Sequence, residues 1–110
     1  MLPAKLIEIH CSEQDVYDDK PLYEAIVERC RGLKIAGATV LRGVEGYGET
    51  AAIHRQHLVK HDLPITVLVV DSSEQIDAMA LILEQMLEKS VMAVSDVKMR
   101  RVHGTEIAKD

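Results

Sequence analysis

Phenylalanine and tryptophan are both missing from the 110 residues, and the only aromatics are three tyrosines. Proteins that grip single-stranded nucleic acid by stacking need aromatic platforms, and this chain has almost none to offer. Its formal net charge of −5 also opposes phosphate-backbone binding unless Lys and Arg gather on one face. Nucleic acid is therefore not an expected partner. Proline is scarce, and no apolar run approaches the roughly 20 residues needed to cross a bilayer. The opening MLPAKLIEIHC shows no basic segment followed by a long apolar run, so no secretory signal is expected. The two cysteines, Cys11 and Cys30, lack CxxC spacing and sit among apolar residues. Reduced, buried thiols in a reducing compartment follow, and with them a cytoplasmic location.

What is present is an ordinary globular balance, 47% hydrophobic and 28% charged. The length suits a single domain over residues 1–110, whose core must be built from Val, Ile, Leu and Met. Ala4–Cys11 alternates as a strand, with Ile7 and Ile9 on one face and Glu8 and His10 on the other. Ser12–Lys20 is polar, and its Asp18 and Asp19 precede Pro21 at the expected positive end of a helix. Leu22, Ile26, Cys30 and Leu33 recur at helical spacing, and Gly32 and Gly37 bracket the helix exit. Ala38–Val44 reads as a second strand, interrupted by Gly43, Gly46 and Gly48. Leu63–Val70 is apolar enough for a central strand. Ser72 and Gln75 stand at capping-box spacing before a second helix with Ile76, Met79, Leu83 and Met86 on its apolar stripe. Val91–Val94 and Val97–Val102 read as a short strand and a last strand.

That order predicts an α+β domain of the ferredoxin-like βαββαβ plait, two helices on one face of a four-stranded antiparallel sheet. The ordered core is expected over about residues 4–103, with a mobile loop over about 44–62 and a frayed tail at 104–110.

Chemistry concentrates in Arg42-Gly43-Val44-Glu45-Gly46-Tyr47-Gly48. Glycines let backbone N–H groups converge on an anion, with Arg42 beside them and Tyr47 placed to stack or hydrogen-bond. The pattern is neither GxxxxGK[ST] nor GxGxxG, and the plain alternative is a bulged strand end leading into a loop. His54, His57 and His61 fall on one narrow arc if their segment is helical, an alternative zinc or copper site with Asp62 or Glu49 as a fourth ligand. Solvated loop histidines are the plainer reading, and a metal is not favoured. Glu13, Asp15, Asp18 and Asp19 lack the central Gly and terminal Glu of a calcium loop. No GxSxG or other nucleophile motif occurs, so nothing in the chain argues for catalysis. A small enzyme of unknown reaction remains the remaining alternative.

The run Lys20–Arg29, the run Ala36–Gly43, Gly46-Tyr47-Gly48, Ile53-His54 and Asp62–Ile65 leading to Val70-Asp71 occur in this order. Together they resemble the uncharacterised PII-like family known as domain of unknown function 190, over about Leu6 to Val102. The resemblance implies a ferredoxin-like fold assembled as a homotrimer. PII proteins bind adenine nucleotides and 2-oxoglutarate between subunits, and contact transporters and enzymes through a long loop after strand two. It thus implies a signalling protein with an anionic ligand, an adenine nucleotide among the candidates, and a membrane transport protein as regulated partner. It also implies phosphate contacts from Lys98 and Arg100, because Lys98-Met99-Arg100 looks like the basic-x-basic pair ending strand four in PII proteins. The other reading of that pair is an edge strand guarded by charge. Two departures stand out. Glu88–Ser95 contains no Gly, whereas PII proteins cradle phosphate there with a Gly-rich loop. The stretch from His54 to Asp62 is about two residues shorter than usual and carries His57 and His61.

Overall fold

The computed structural model describes residues 1–47, 53–55, 62–102 and 104. The chain forms β1 (Leu2–Ser12), β2 (Val16–Tyr17), β3 (Lys20–Pro21), α1 (Leu22–Gly32), β4 (Gly37–Arg42), β5 (Glu45–Gly46), β6 (His54–Arg55), β7 (Pro64–Ser72), α2 (Ser73–Met86) and β8 (Val91–Met99). The long strands make one antiparallel sheet in the order β4-β7-β1-β8, and the pairs β2-β3 and β5-β6 are short ribbons beside it. Both helices pack on the same face of the sheet, against Ile7, Ile9, Ile65, Val67 and Val69. This is the ferredoxin-like plait expected from the element order.

Alternation decides which side chains meet the helices. In β7 every second residue from Ile65 to Asp71 is buried, and those between are half-buried. Register sends Leu2, Leu6, Val70, Val97 and Met99 to the face without helices. That face is apolar at one end and polar at the other, where His10 lies 3.3 Å from both Glu8 Oε2 and Thr66 Oγ1.

The structure departs from the sequence reading in three places. Ser95 and Asp96 do not divide the last strand, because they pair with Leu6 and Lys5 and keep β8 continuous. Ser12–Lys20 is a folded connection, with Asp18 and Asp19 at φ 54° and 64° turning β2 into β3. Positive φ at both central residues is the type I′ hairpin signature, and aspartate is one of the few non-glycine residues that tolerates it.

The third departure is at the end of α1. Leu33 is its C-cap, Lys34 N–H donates to Arg31 O at 3.0 Å, and Ile35 N–H donates to Cys30 O at 3.0 Å. Those two bonds are a Schellman cap, and its left-handed residue is Lys34 at φ 57° rather than a glycine. Lys34→Gly is therefore expected to raise stability by about 0.5–1 kcal/mol, measured as a higher urea midpoint at unchanged slope.

Among the described residues Asp71 is the one buried polar or charged side chain, at the margin of the core. Its Oδ2 accepts from Ala36 N–H at 2.8 Å and its Oδ1 from Ser72 N–H at 2.6 Å. One side chain thereby ties the α1–β4 connection to the start of α2. Ser72 caps that helix through Gln75 N–H at 3.3 Å, while the Gln75 side chain reaches Leu33 O at 3.5 Å.

Candidate functional site

β1, β4 and β7 all reach the same end of the sheet, and a cavity of about 470 Å³ lies there. Three walls converge on it. Cys11, Ser12 and Asp15 come from the end of β1 and the turn after it, and Gly43, Gly46 and Tyr47 from the segment after β4. Glu88, Lys89 and Ser90 come from the turn between α2 and β8. Leu22, Ile65 and Met86 supply an apolar floor. Lys89 is the one Lys or Arg side chain lining the cavity among the described residues. Sequence reading missed it, because a lone lysine in a glycine-free turn carries no pattern.

The glycines have a local reason to be there. A Cβ on Gly43 would come within 3.0 Å of Pro64 Cγ, and one on Gly46 within 3.3 Å. The segment crosses close over the Pro64 ring, and Gly43 N–H donates to Pro64 O at 2.8 Å. That N–H is committed within the fold, so Gly43 serves the cavity by close backbone approach. Gly46 pairs with His54 in the β5-β6 ribbon. Tyr47 stands at the rim, 74% exposed. Gly48 lies outside the described residues.

Arg42 ends β4 and turns its guanidinium to Glu13, with Nη2 2.6 Å from Oε2. The other oxygen of Glu13 accepts from Leu63 N–H at 3.2 Å, and Glu13 N–H donates to Leu63 O at 2.9 Å. Glu13 thus joins the two chain ends where the segment between β4 and β7 leaves and rejoins the sheet. Nothing in the sequence marks it apart from neighbouring acidic residues.

Lys98 and Arg100 stand at the other end of the molecule. Lys98 is opposite Pro3, whereas Val91, beside the cavity, is opposite His10. Seven residues of strand separate Lys98 from Val91, about 23 Å. One chain does not bring Lys98 and Arg100 to the Gly-rich segment. His54 is in a strand, so the helical arc expected for His54, His57 and His61 does not begin there. His57 and His61 lie outside the described residues, and among the described residues no group of three His, Cys, Asp or Glu could hold a metal ion.

Both thiols are free. Burial, with a smaller contribution from Asp15, pushes Cys11 up to about 12, and burial pushes Cys30 up to about 11. Each thiol stays protonated in the folded chain while it ionises near 9 in the unfolded one. Below pH 9 their contribution to stability is complete, and it declines as pH rises toward 11–12. The expected slope is at most about 1.4 kcal/mol per pH unit for each thiol. A Cys11→Ala, Cys30→Ala chain should show less of this alkaline decline in urea titrations at pH 8 and pH 10. Equal declines in the two proteins would assign it to other groups.

The plait, with its short ribbons beside the sheet, is a fold shared with PII-like proteins of known structure. CPII from Thiomonas intermedia, a nitrogen regulatory PII-like protein solved bound to ADP, AMP and bicarbonate, superposes with a TM-score of 0.65 at 18% identity, covering 90% of each chain. A putative PII-like signalling protein from Thermus thermophilus gives 0.66 at 19% identity, covering 89% of this chain and 90% of that one. At such identities the likeness is one of fold.

Sequence comparison is more specific. The family of uncharacterised ACR proteins called domain of unknown function 190 matches residues 4–99, and the chain belongs to that family. A UPF0166 protein of Aquifex aeolicus is 36% identical over 78 residues, 69% of this chain and 74% of that protein. A UPF0166 protein of Methanocaldococcus jannaschii is 30% identical over 78 residues, 70% of this chain and 72% of that protein. Among the described residues no helix is long and apolar enough to cross a membrane.

Proposed function

We propose that this protein is a PII-like, small-molecule-sensing regulator that binds an anionic ligand, with an adenine nucleotide as the leading candidate. The observation that carries the reading is the cavity lined by Gly43, Gly46, Tyr47, Lys89 and Ser90, with Asp15, Glu45 and Glu88 also in its wall. CPII, whose fold is shared, is described as bound to ADP, AMP and bicarbonate.

In this reading the ligand sits between subunits of a homotrimer. The apolar half of the open sheet face supports such an assembly, since three faces meeting at a threefold axis would cover it. Gly43, Gly46, Tyr47 and Gly48 contribute from one chain, and Arg42, which pairs with Glu13 and is not among the described residues lining the cavity, contributes from beside it. Lys98, near the end of β8, and Arg100, just after it, contribute from the next chain. Lys89 supplies positive charge at the turn where PII proteins have glycines. The protein acts in the cytoplasm without catalysing a reaction, and its segment after β4 signals to a partner such as a membrane transport protein. Switching needs only that the ligand bind one state of that segment better than the other.

Isothermal titration with ADP, AMP and bicarbonate tests the ligand. Saturable binding of ADP or AMP is expected, with a matching rise in Tm. If none of the three compounds binds or shifts the melting transition, the ligand reading is wrong.

A further inference from the structure

The contact between Arg42 and Glu13 has consequences for any anion that approaches. Glu13 is the more enclosed partner, its side chain 16% exposed against 53% for Arg42. Its carboxylate is also anchored from behind by Leu63 N–H. A guanidinium offers five N–H donors, so an anion arriving from solvent meets Arg42 first and Glu13 second. Two negative groups then compete for one cation.

We propose that Glu13 is an internal occupant of the Arg42 anion position, a built-in carboxylate that competes with the ligand for the guanidinium. The inference rests on the reading of Arg42 as a ligand-binding residue. Displacement is easy on both sides. An ion pair this exposed shifts an equilibrium only about two- to fivefold. When Arg42 turns away, Glu13 keeps its hydrogen bond to Leu63 and is not left without a partner. Loss of the Arg42 charge beside that carboxylate changes the electrostatic surroundings of the Leu63 N–H bound to it, where the chain rejoins the sheet before β7. Glu13 acts here as a positioning residue that sets the threshold for binding.

Glu13→Gln tests this, because the amide oxygen still accepts from Leu63 N–H while the charge is gone. With ADP and bicarbonate as separate probes of the full chain, Glu13→Gln is expected to bind about three- to fivefold tighter than the unaltered protein. Arg42→Ala should bind about tenfold more weakly, and the double variant should match Arg42→Ala because no guanidinium is left to contest. A purely structural role for Glu13 would weaken binding instead. On the unaltered chain, saturating ADP should move the NMR signals of Arg42 Nε and the Leu63 amide together.

If Arg42→Ala weakens binding but Glu13→Gln leaves it unchanged or weaker, the occupant proposal is overturned and the Arg42 site stands. An unmoved Leu63 amide at saturation overturns it in the same way. If Arg42→Ala leaves both affinities unchanged, or neither probe binds, the site reading itself falls and this proposal with it.

Discussion

In size-exclusion chromatography with light scattering the unaltered protein is expected to elute as a trimer and Leu6→Asp as single chains. Leu6 lies on β1, the third strand in the order β4-β7-β1-β8, and its register partners are Val70 and Ser95. It points away from both helices, toward the face that also carries Leu2, Val97 and Met99. The helices cover the opposite face, and in the proposed assembly other copies of the chain bury this one. A threefold axis would bring three copies of position 6 close together. An Asp there places three carboxylates in an apolar contact, each at a cost of several kcal/mol unless paired. Folding of one chain should suffer little, because the position is only half-buried in the single subunit. Leu81→Asp provides the control. Leu81 is 65% exposed on α2, and that substitution should leave the assembly intact. A monomeric unaltered protein, or a trimeric Leu6→Asp, would remove the assembly from the account.

Asp71→Ala should cost about 2–3 kcal/mol of stability without altering the assembly, read as a lower urea midpoint. The residue is 4% exposed and accepts from two backbone N–H groups, Ala36 and Ser72. Removing the acceptor takes a partner from two part-buried donors, and a donor left unsatisfied costs more than the net worth of its bond. Ser72 is also the N-cap of α2, so disturbance there reaches a second element. Asp71→Asn keeps one acceptor oxygen and should lose less. Equal losses for Ala and Asn would show that charge, rather than the count of acceptors, governs the position.

Such buried hydrogen bonds are where sequence reading ran out. The plait was legible because its signals are periodic. Ile65, Val67 and Val69 alternate, and Ile76, Met79 and Leu83 follow the helical repeat, so strand and helix announce themselves over several residues. Lys34 was missed for the opposite reason. A lysine in the left-handed cap position breaks the glycine habit, and Gly32, two residues earlier, drew the boundary instead. In sequence, Asp18 and Asp19 read as charges at a helix end, whereas their backbone angles make them a hairpin turn. The apparent break at Ser95-Asp96 vanished once β1 lay alongside, since pairing partners outweigh the propensity of two polar residues.

The site was legible only in part. Three glycines near an arginine pointed to the right end of the molecule. What surrounds them is contributed by residues about 30 positions earlier and 40 later, Glu13 and Lys89 among them, and no local pattern encodes such meetings. Pro64 explains the spacing of Gly43 and Gly46 better than ligand chemistry alone, because both glycines pass over its ring. Close packing over Pro64 therefore favours glycine at these positions with or without a ligand.

Native mass spectrometry of freshly purified protein, with and without added ADP, tests the central claim most directly. A single experiment reads the number of chains and the mass they retain. The account predicts three chains per particle, with ADP adding in steps up to three. A single chain that keeps no added mass at saturating ADP, AMP or bicarbonate would contradict it.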